Sequence, residues 1–295
     1  MKIAITGATG LVGSLLAPFL VGQGHEVVRV SRAGGPGFVR WNPDGENDPA
    51  VFARCDAIVH LAGANLAAGR WTSKRRRELM DSRIRSTREI VAAITRMPKR
   101  PRVLVCASGA GFYGNTGDAI ADESSPKGAG FLAELCDQWE IEAARAGSLD
   151  VRVMRLRFGP ILAPHGGALG KMLPIFRLGL GGRIGSGEQW MSWISADDAM
   201  NAIRHVLTNE MSSGPVNVVS PGAVRSREFS MTLAHVLRRP AVLPVPAFAL
   251  RLMFGRMAVE TLLASSRTTP RRLLESGFRF RHPELEGALR HVLGG

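Results

Sequence analysis

Seven residues near the amino terminus, Gly7-Ala8-Thr9-Gly10-Leu11-Val12-Gly13, have the types and spacing of a phosphate cradle. Before them, Lys2-Ile3-Ala4-Ile5-Thr6 reads as a short buried strand. After them, an apolar run to Val21 reads as a helix. A strand that breaks at a glycine and restarts as a helix aims backbone N–H groups and the positive end of the helix dipole at one spot. That spot favours a pyrophosphate. Gly7 permits the tight turn, Gly10 lets the backbone approach the ligand, and Gly13 lets the helix lie close to the sheet. The predicted chemistry is dinucleotide binding, with Gly7, Thr9, Gly10, Leu11, Val12 and Gly13 around the diphosphate. The alternative is an ordinary glycine-rich turn, and the flanking strand and helix weigh against it.

The next strand refines the ligand. His25-Glu26-Val27-Val28-Arg29-Val30 is extended and apolar, and it ends in Ser31-Arg32. An NAD site usually carries an acidic residue at this strand end, bonded to the ribose 2′-hydroxyl. None is present. A hydroxyl followed by a guanidinium suits a 2′-phosphate, so NADP is preferred over NAD. The other reading of Arg32 is a solvated surface charge in an arginine-rich chain.

Composition sets the frame for these motifs. The chain has 295 residues, 45% hydrophobic and 21% charged, which is ordinary for a globular protein. It is long enough for one large domain and a smaller appendage. Cys55, Cys106 and Cys136 are odd in number and lack metal-type spacing. They read as small buried residues in a reducing compartment, with no metal site expected and a cytoplasmic location. No signal peptide and no membrane-spanning apolar run is visible; the stretch 240–264 is broken by Pro244, Pro246, Arg251, Arg256 and Glu260. The formal net charge of +13 can signal nucleic acid binding. Yet the one dense cluster, Lys74-Arg75-Arg76-Arg77, stands in no nucleic-acid motif, so no nucleic acid partner is expected. A small-molecule substrate and a monomer or homodimer are the remaining expectations.

Strands and helices then alternate. Gly37 to Asn42 is extended, and Cys55 to Gly63 is an apolar strand ending in small residues. An amphipathic helix runs from about Ser73 to Thr95. Pro101 to Ala107 is a strand leading to Ser108, Phe131 to Ala146 a helix, and Val151 to Arg157 a strand. This order predicts an α/β fold with a doubly wound parallel sheet, covered on both faces. Ligands bind such sheets outside the carboxyl ends of the strands. The later chain reads as loops, one short strand over Trp190 to Ser195, a helix over Ala196 to Thr208 and a strand over Gly214 to Val219. Three or four helices joined by proline turns follow. The expected division is 1–220 for the dinucleotide-binding domain, with loops from about 160 to 195 lining the substrate cleft. Residues 221–295 form a smaller, mostly helical lobe.

Several motifs together resemble the extended short-chain dehydrogenase/reductases, the Rossmann-fold group that holds sugar-nucleotide epimerases. They are Thr6 to Gly13, His60-Leu61-Ala62-Gly63, and Ser108 with Phe112-Tyr113-Gly114. More narrowly, the chain is similar to an atypical branch known only as epimerase family proteins, which ends in a domain of unknown function. The motifs for that branch are Leu61 to Asn65, Arg70-Trp71-Thr72, Ser82-Arg83-Ile84, Gly166 to Leu169, and Gly185 to Trp193. The resemblance implies that Ser31 and Arg32 meet the adenosine phosphate, and that Leu61, Ala62 and Gly63 lie beside the adenine and ribose. It implies that Arg83 and Glu78 approach the cofactor from the long helix, with a solvated helix face as the alternative. Ile161 would run beside the nicotinamide or pack in the core. Gln189, Trp190 and Trp193 would line the substrate cleft, where the rings can stack on a sugar or a base; core packing is the commoner fate of tryptophan.

The same resemblance exposes a gap. Hydride-transferring members use a tyrosine and a lysine four residues later on one helix face, where the ammonium lowers the phenol pKa. This chain has one tyrosine, Tyr113, and residue 117 is glycine. The helix that should carry the pair reads Phe131-Leu132-Ala133-Glu134-Leu135-Cys136. Ser108 and Tyr113 remain as candidate catalytic groups, able in principle to polarise a carbonyl together; a capping serine and a packed tyrosine are the alternative. The implied activity is that of an NADP-binding oxidoreductase or epimerase-like protein. The rival is a cofactor sensor or scaffold without catalysis.

Overall fold

The computed structural model describes residues 1–42 and 48–294. Strand β1 (Lys2–Thr6) leads through the glycine loop into α1 (Leu11–Gly22), then β2 (Glu26–Ser31), β3 (Val39–Arg40) and β4 (Ala57–His60). Next come α2 (Ser73–Arg96), β5 (Val103–Gly109), β6 (Ile120–Ala121), α3 (Phe131–Ala144), β7 (Arg152–Phe158) and β8 (Ile161–Leu162). The middle of the chain supplies α4 (Gly167–Arg177), β9 (Trp190–Met191), β10 (Ile194–Ser195), α5 (Ala196–Thr208), β11 (Gly214–Val218), β12 (Val224–Arg225) and α6 (Ser226–Leu237). The chain closes with α7 (Ala247–Phe254), α8 (Arg256–Thr261), β13 (Arg267–Thr268), α9 (Arg271–Glu275) and α10 (Leu285–Leu293).

The central sheet has seven strands in the order β11-β7-β5-β4-β1-β2-β3, all parallel. The chain builds outward from β1 first on one side, then on the other. The order therefore reverses between β1 and β4, and a crevice opens at their carboxyl ends. Strands buried on both faces need apolar residues at consecutive positions, which explains the runs Ile3-Ala4-Ile5, Ala57-Ile58-Val59 and Val103-Leu104-Val105, all at most 1% exposed. Helices α1 and α5 seal one face through Leu16, Leu20, Ile203 and Val206. Helices α2 and α3 seal the other through Ile90, Ile94, Trp139 and Ala143. The doubly wound sheet expected from the alternation is the one observed.

Three details depart from expectation. The extended piece over residues 37–42 keeps only the two-residue β3 in the sheet. The single strand expected over Trp190 to Ser195 is two: β9 pairs antiparallel with β12, while β10 pairs parallel with β8. Between them Ser192 turns away, donating to Ser266 O at 2.8 Å and accepting from Thr268 N at 2.8 Å. After Pro221 the described residues form five helices instead of three or four, because α8 and α9 are too short to show a period in the sequence.

The end of the chain shares its apolar surface with the rest. Leu162, Leu173, Phe176 and Trp193 pack with Phe229, Leu233, Ala288 and Leu289. Leu273 and Phe278 enter the core under the sheet itself. Among the described residues no helix is long and apolar enough to cross a membrane.

Candidate cofactor and catalytic site

The glycine loop is shaped by sterics. Gly7 leaves β1 with φ +67°, and a Cβ there would lie 2.7 Å from Ala62 N at the exit of β4. A Cβ on Gly13 would lie 2.4 Å from Gly7 O and 2.6 Å from the Ala8 Cα. Gly10 is the N-cap of α1, extended at φ −77° and ψ 172°, and no side chain caps the helix. Thr9 and Gly10 are exposed, and Leu11 and Val12 half-buried. The first-turn N–H groups thus face the crevice with no side-chain acceptor, as a diphosphate site requires. The start of α4 comes over this loop: Cβ atoms on Gly166 and Gly167 would lie 3.1 and 3.2 Å from the Leu11 side chain.

Beyond β2, the Ser31 hydroxyl accepts from Gly34 N at 3.0 Å and closes a turn. Arg32 stands exposed on that turn, with no acidic residue from 31 to 40. Beyond β4, Leu61 and Ala62 are half-buried and Gly63 is exposed. Arg83 packs against this loop. A Cβ on Gly63 would lie 3.0 Å from the Arg83 Cζ, and the guanidinium donates to Ala64 O at 3.1 Å and Leu79 O at 3.2 Å. Its carbon also lies 5.0 Å from the centre of the Trp139 ring. Burial pushes the Arg83 pKa down to about 10. Glu78 is on the outer side of α2, paired with Arg75 at 2.6 Å. Ile161 is 9% exposed and belongs to the core.

A polar chain runs from β4 to α2 through His60, a motif residue to which the sequence assigned no role. His60 is 1% exposed. Its Nδ1 lies 2.7 Å from Thr6 Oγ1 and its Nε2 3.0 Å from Thr87 Oγ1. Thr87 gives its own proton to Arg83 O at 2.7 Å and accepts from Trp139 Nε1 at 2.9 Å. It is therefore left to accept from His60 Nε2–H, and Nδ1 accepts from Thr6. That assignment makes His60 a neutral donor–acceptor bridge between β1, β4 and α2. Burial drives its pKa down from 6.5 to about 3. The available signal was an imidazole at the end of an otherwise apolar strand.

Ser108 and Tyr113 are joined by a second buried network. Ser108 Oγ donates to Glu140 Oε1 at 2.7 Å. Arg157 clamps the same carboxylate with two bonds, 2.8 Å from Nε and 2.9 Å from a terminal nitrogen. Its other terminal nitrogen donates to the Tyr113 hydroxyl at 2.8 Å, and that hydroxyl donates to Asn217 Oδ1 at 2.7 Å. Glu140 is 3% exposed, Arg157 and Tyr113 4%, and Ser108 6%. Both candidate hydroxyls therefore send their protons inward, because a carboxylate and an amide oxygen can only accept. This corrects the expectation that the two polarise a carbonyl together: neither has a proton free to give. Burial raises the Tyr113 pKa to about 12, against the pull of Arg157.

The place of the missing pair is apolar. Phe131 and Leu135 lie one turn apart on α3, in a cluster with Trp71, Leu79, Phe254 and Met257. Glu260 of α8 caps this helix by accepting from Leu132 N at 2.8 Å, so the end of the chain closes on the start of α3. The Lys171 ammonium of α4 donates to Ala67 O at 2.9 Å.

Of the three residues expected at the cleft, Trp193 alone is contradicted, by its full burial. Trp193 is fully buried and donates to Gly222 O at 2.8 Å, so it packs the core and meets no ligand. Trp190 bonds Asp118 Oδ1 at 2.8 Å, and Arg225 and Arg267 lie over its ring at 4.3 and 4.2 Å. The Gln189 amide donates to Ile184 O and Leu262 O, both at 3.1 Å, and ties loops together.

A parallel sheet wound on both faces, with an uncapped helix start at its order reversal, defines a dinucleotide-binding protein of the Rossmann type. The chain belongs to the NAD dependent epimerase/dehydratase family, whose model matches residues 3–219; residues 245–292 match the domain of unknown function DUF1731. It is 40% identical over 290 residues to an epimerase family protein of Mycobacterium tuberculosis, covering 97% of this chain and 96% of that one. It is 36% identical over 296 residues to the human epimerase family protein SDR39U1, covering 99% of this chain and all of the other. The crystal structure of human SDR39U1 (isoform 2) with NADPH superposes with a TM-score of 0.93 at 35% identity, over the whole of both chains. A nucleoside-diphosphate sugar epimerase from Corynebacterium glutamicum superposes at 0.81 and 31% identity, over all of this chain and 58% of that one.

Proposed function

We propose that this chain binds NADP(H) in the crevice between β1 and β4. It acts there as an oxidoreductase or epimerase-like protein on a small hydroxyl- or carbonyl-bearing substrate, free or sugar-linked. The carrying observation is the uncapped start of α1 beside a β2 that ends in Ser31-Arg32 without an acid. The human relative crystallised with NADPH supports the same reading. Leu11, Val12 and Gly13 would donate to the diphosphate, and Arg32 would swing onto the 2′-phosphate. Leu61, Ala62 and Gly63 would line the adenosine side. Bound cofactor supplies a hydride donor or acceptor. Ser108 Oγ, its proton held by Glu140, offers lone pairs, so it accepts from a substrate hydroxyl. The buried, unpaired thiols suit a reducing compartment such as the cytoplasm. Parallel calorimetric titrations with NADPH and NADH test the cofactor reading. NADPH is expected to bind at least about tenfold tighter, the worth of one charge-assisted contact. A folded sample that gives no heat with either overturns it.

The apolar cluster around Phe131 and Leu135 favours a second reading, a cofactor sensor or scaffold that performs no turnover. Cofactor oxidation and reduction across panels of carbonyls and alcohols separate the two. Turnover lost in Ser108→Ala supports the enzyme; binding without turnover supports the sensor.

A further inference from the structure

Outside the residues assigned to the crevice, three metal-ligating side chains from three segments meet. Asp197 stands in the first turn of α5, His282 in the loop before α10, and His291 on α10 itself. One ligand atom of each lies within 4.8 Å of the others, and among the described residues this is the sole such group. The two imidazoles stack with centroids 4.2 Å apart and planes at 20°, and Asp197 Oδ2 contacts His291 Nε2 directly. Tetrahedral zinc holds its ligand atoms about 3.3 Å apart at bond lengths near 2.0–2.1 Å. Metal binding would part the Asp197 and His291 atoms slightly and draw His282 in, all three being partly exposed side chains.

The approach is built into the fold. Asp198, fully buried, accepts from Arg281 N at 2.7 Å and His282 N at 2.9 Å, and is itself bonded by Ser195 Oγ at 3.0 Å. The neighbour of Asp197 thus pins the backbone of His282 against the start of α5. The packing of Leu285, Ala288 and Leu289 fixes α10, and with it His291. Two neutral imidazoles and one carboxylate suit zinc, cobalt or nickel, and poorly suit calcium or magnesium.

We propose that Asp197, His282 and His291 form a transition-metal site, with water completing the coordination, that clasps the last helix to α5. The test uses untagged, chelator-treated full-length protein. Calorimetry with zinc chloride is expected to give one site per chain, and cobalt(II) a visible absorption band of low-coordinate type. Zinc is also expected to raise the melting temperature. His282→Ala, His291→Ala and Asp197→Asn should each weaken zinc at least about tenfold, since losing even an outer-sphere partner costs that much. His235→Ala, an exposed histidine on α6, should change nothing. All these side chains are partly exposed, and far-ultraviolet circular dichroism checks that the variants fold. Absence of saturable zinc binding, or binding indifferent to the three substitutions, overturns the proposal and leaves Asp197 and His291 a simple hydrogen-bonded pair.

Discussion

Ser108 gives its hydroxyl proton to Glu140, 2.7 Å away and 32 residues further along the chain. The carboxylate that receives it is held by one edge of the buried Arg157 guanidinium, through Nε and a terminal nitrogen. The outward side of Ser108 is consequently acceptor-only. A substrate that meets it presents a donor, which favours the hydroxyl form over the carbonyl.

Removing Glu140 should leave Arg157 charged, buried and uncompensated. Glu140→Ala is expected to cost about 3–5 kcal/mol in urea unfolding. The paired change Glu140→Met with Arg157→Met should recover much of that loss, because it removes both buried charges. A single variant as stable as the parent would contradict the network.

His60 makes stability depend on acid. Its folded pKa is about 3 against 6.5 for a free imidazole, so between those values only the unfolded chain binds the extra proton. Stability from this group is complete above pH 6.5 and falls as pH drops towards 3, by up to about 1.4 kcal/mol per pH unit. His60→Gln should flatten the unfolding free energy across that window relative to the parent. Parallel curves would show that the imidazole does not stay neutral.

Tyr113 is the only tyrosine, so its phenolate can be read directly by ultraviolet absorbance. Its pKa is raised from 10 to about 12. The folded chain keeps the proton across that range while the unfolded chain releases it, so this contribution to stability is lost as pH rises from 10 to 12. No phenolate should appear near neutrality. Tyr113→Phe should therefore leave the acid–base profile of any turnover unchanged while lowering stability by about 1–3 kcal/mol through the orphaned Asn217 and Arg157 groups.

Arg32→Ala should weaken NADPH by roughly 10- to 100-fold and leave NADH within about twofold, as measured by fluorescence titration. Equal losses for both cofactors would remove Arg32 from the 2′-phosphate.

Some of the buried network was written in the sequence. Arg155 and Arg157 share a strand face with the buried Val153, and a charge on such a face needs a partner. Glu140 lies among Leu135, Cys136, Trp139 and Ala143 on the buried side of α3. Those patterns announce a buried ion pair without naming its members. Trp193 gave no such notice: an indole in a loop-rich stretch looks the same whether it faces a cleft or a core.

Sequence alone determined the glycine loop between β1 and α1, the alternation that makes the sheet parallel, and the absence of acid after β2. Those depend on backbone sterics, hydrophobic period and side-chain type within a few residues. Tertiary structure decided which way the protons of Ser108 and Tyr113 point, that buried Arg83 bonds the loop at Ala64 O, and that Glu260 caps α3. Each depends on a partner or a packing surface brought in from another segment, up to 128 residues away for Glu260 and Leu132, and only the folded chain selects it.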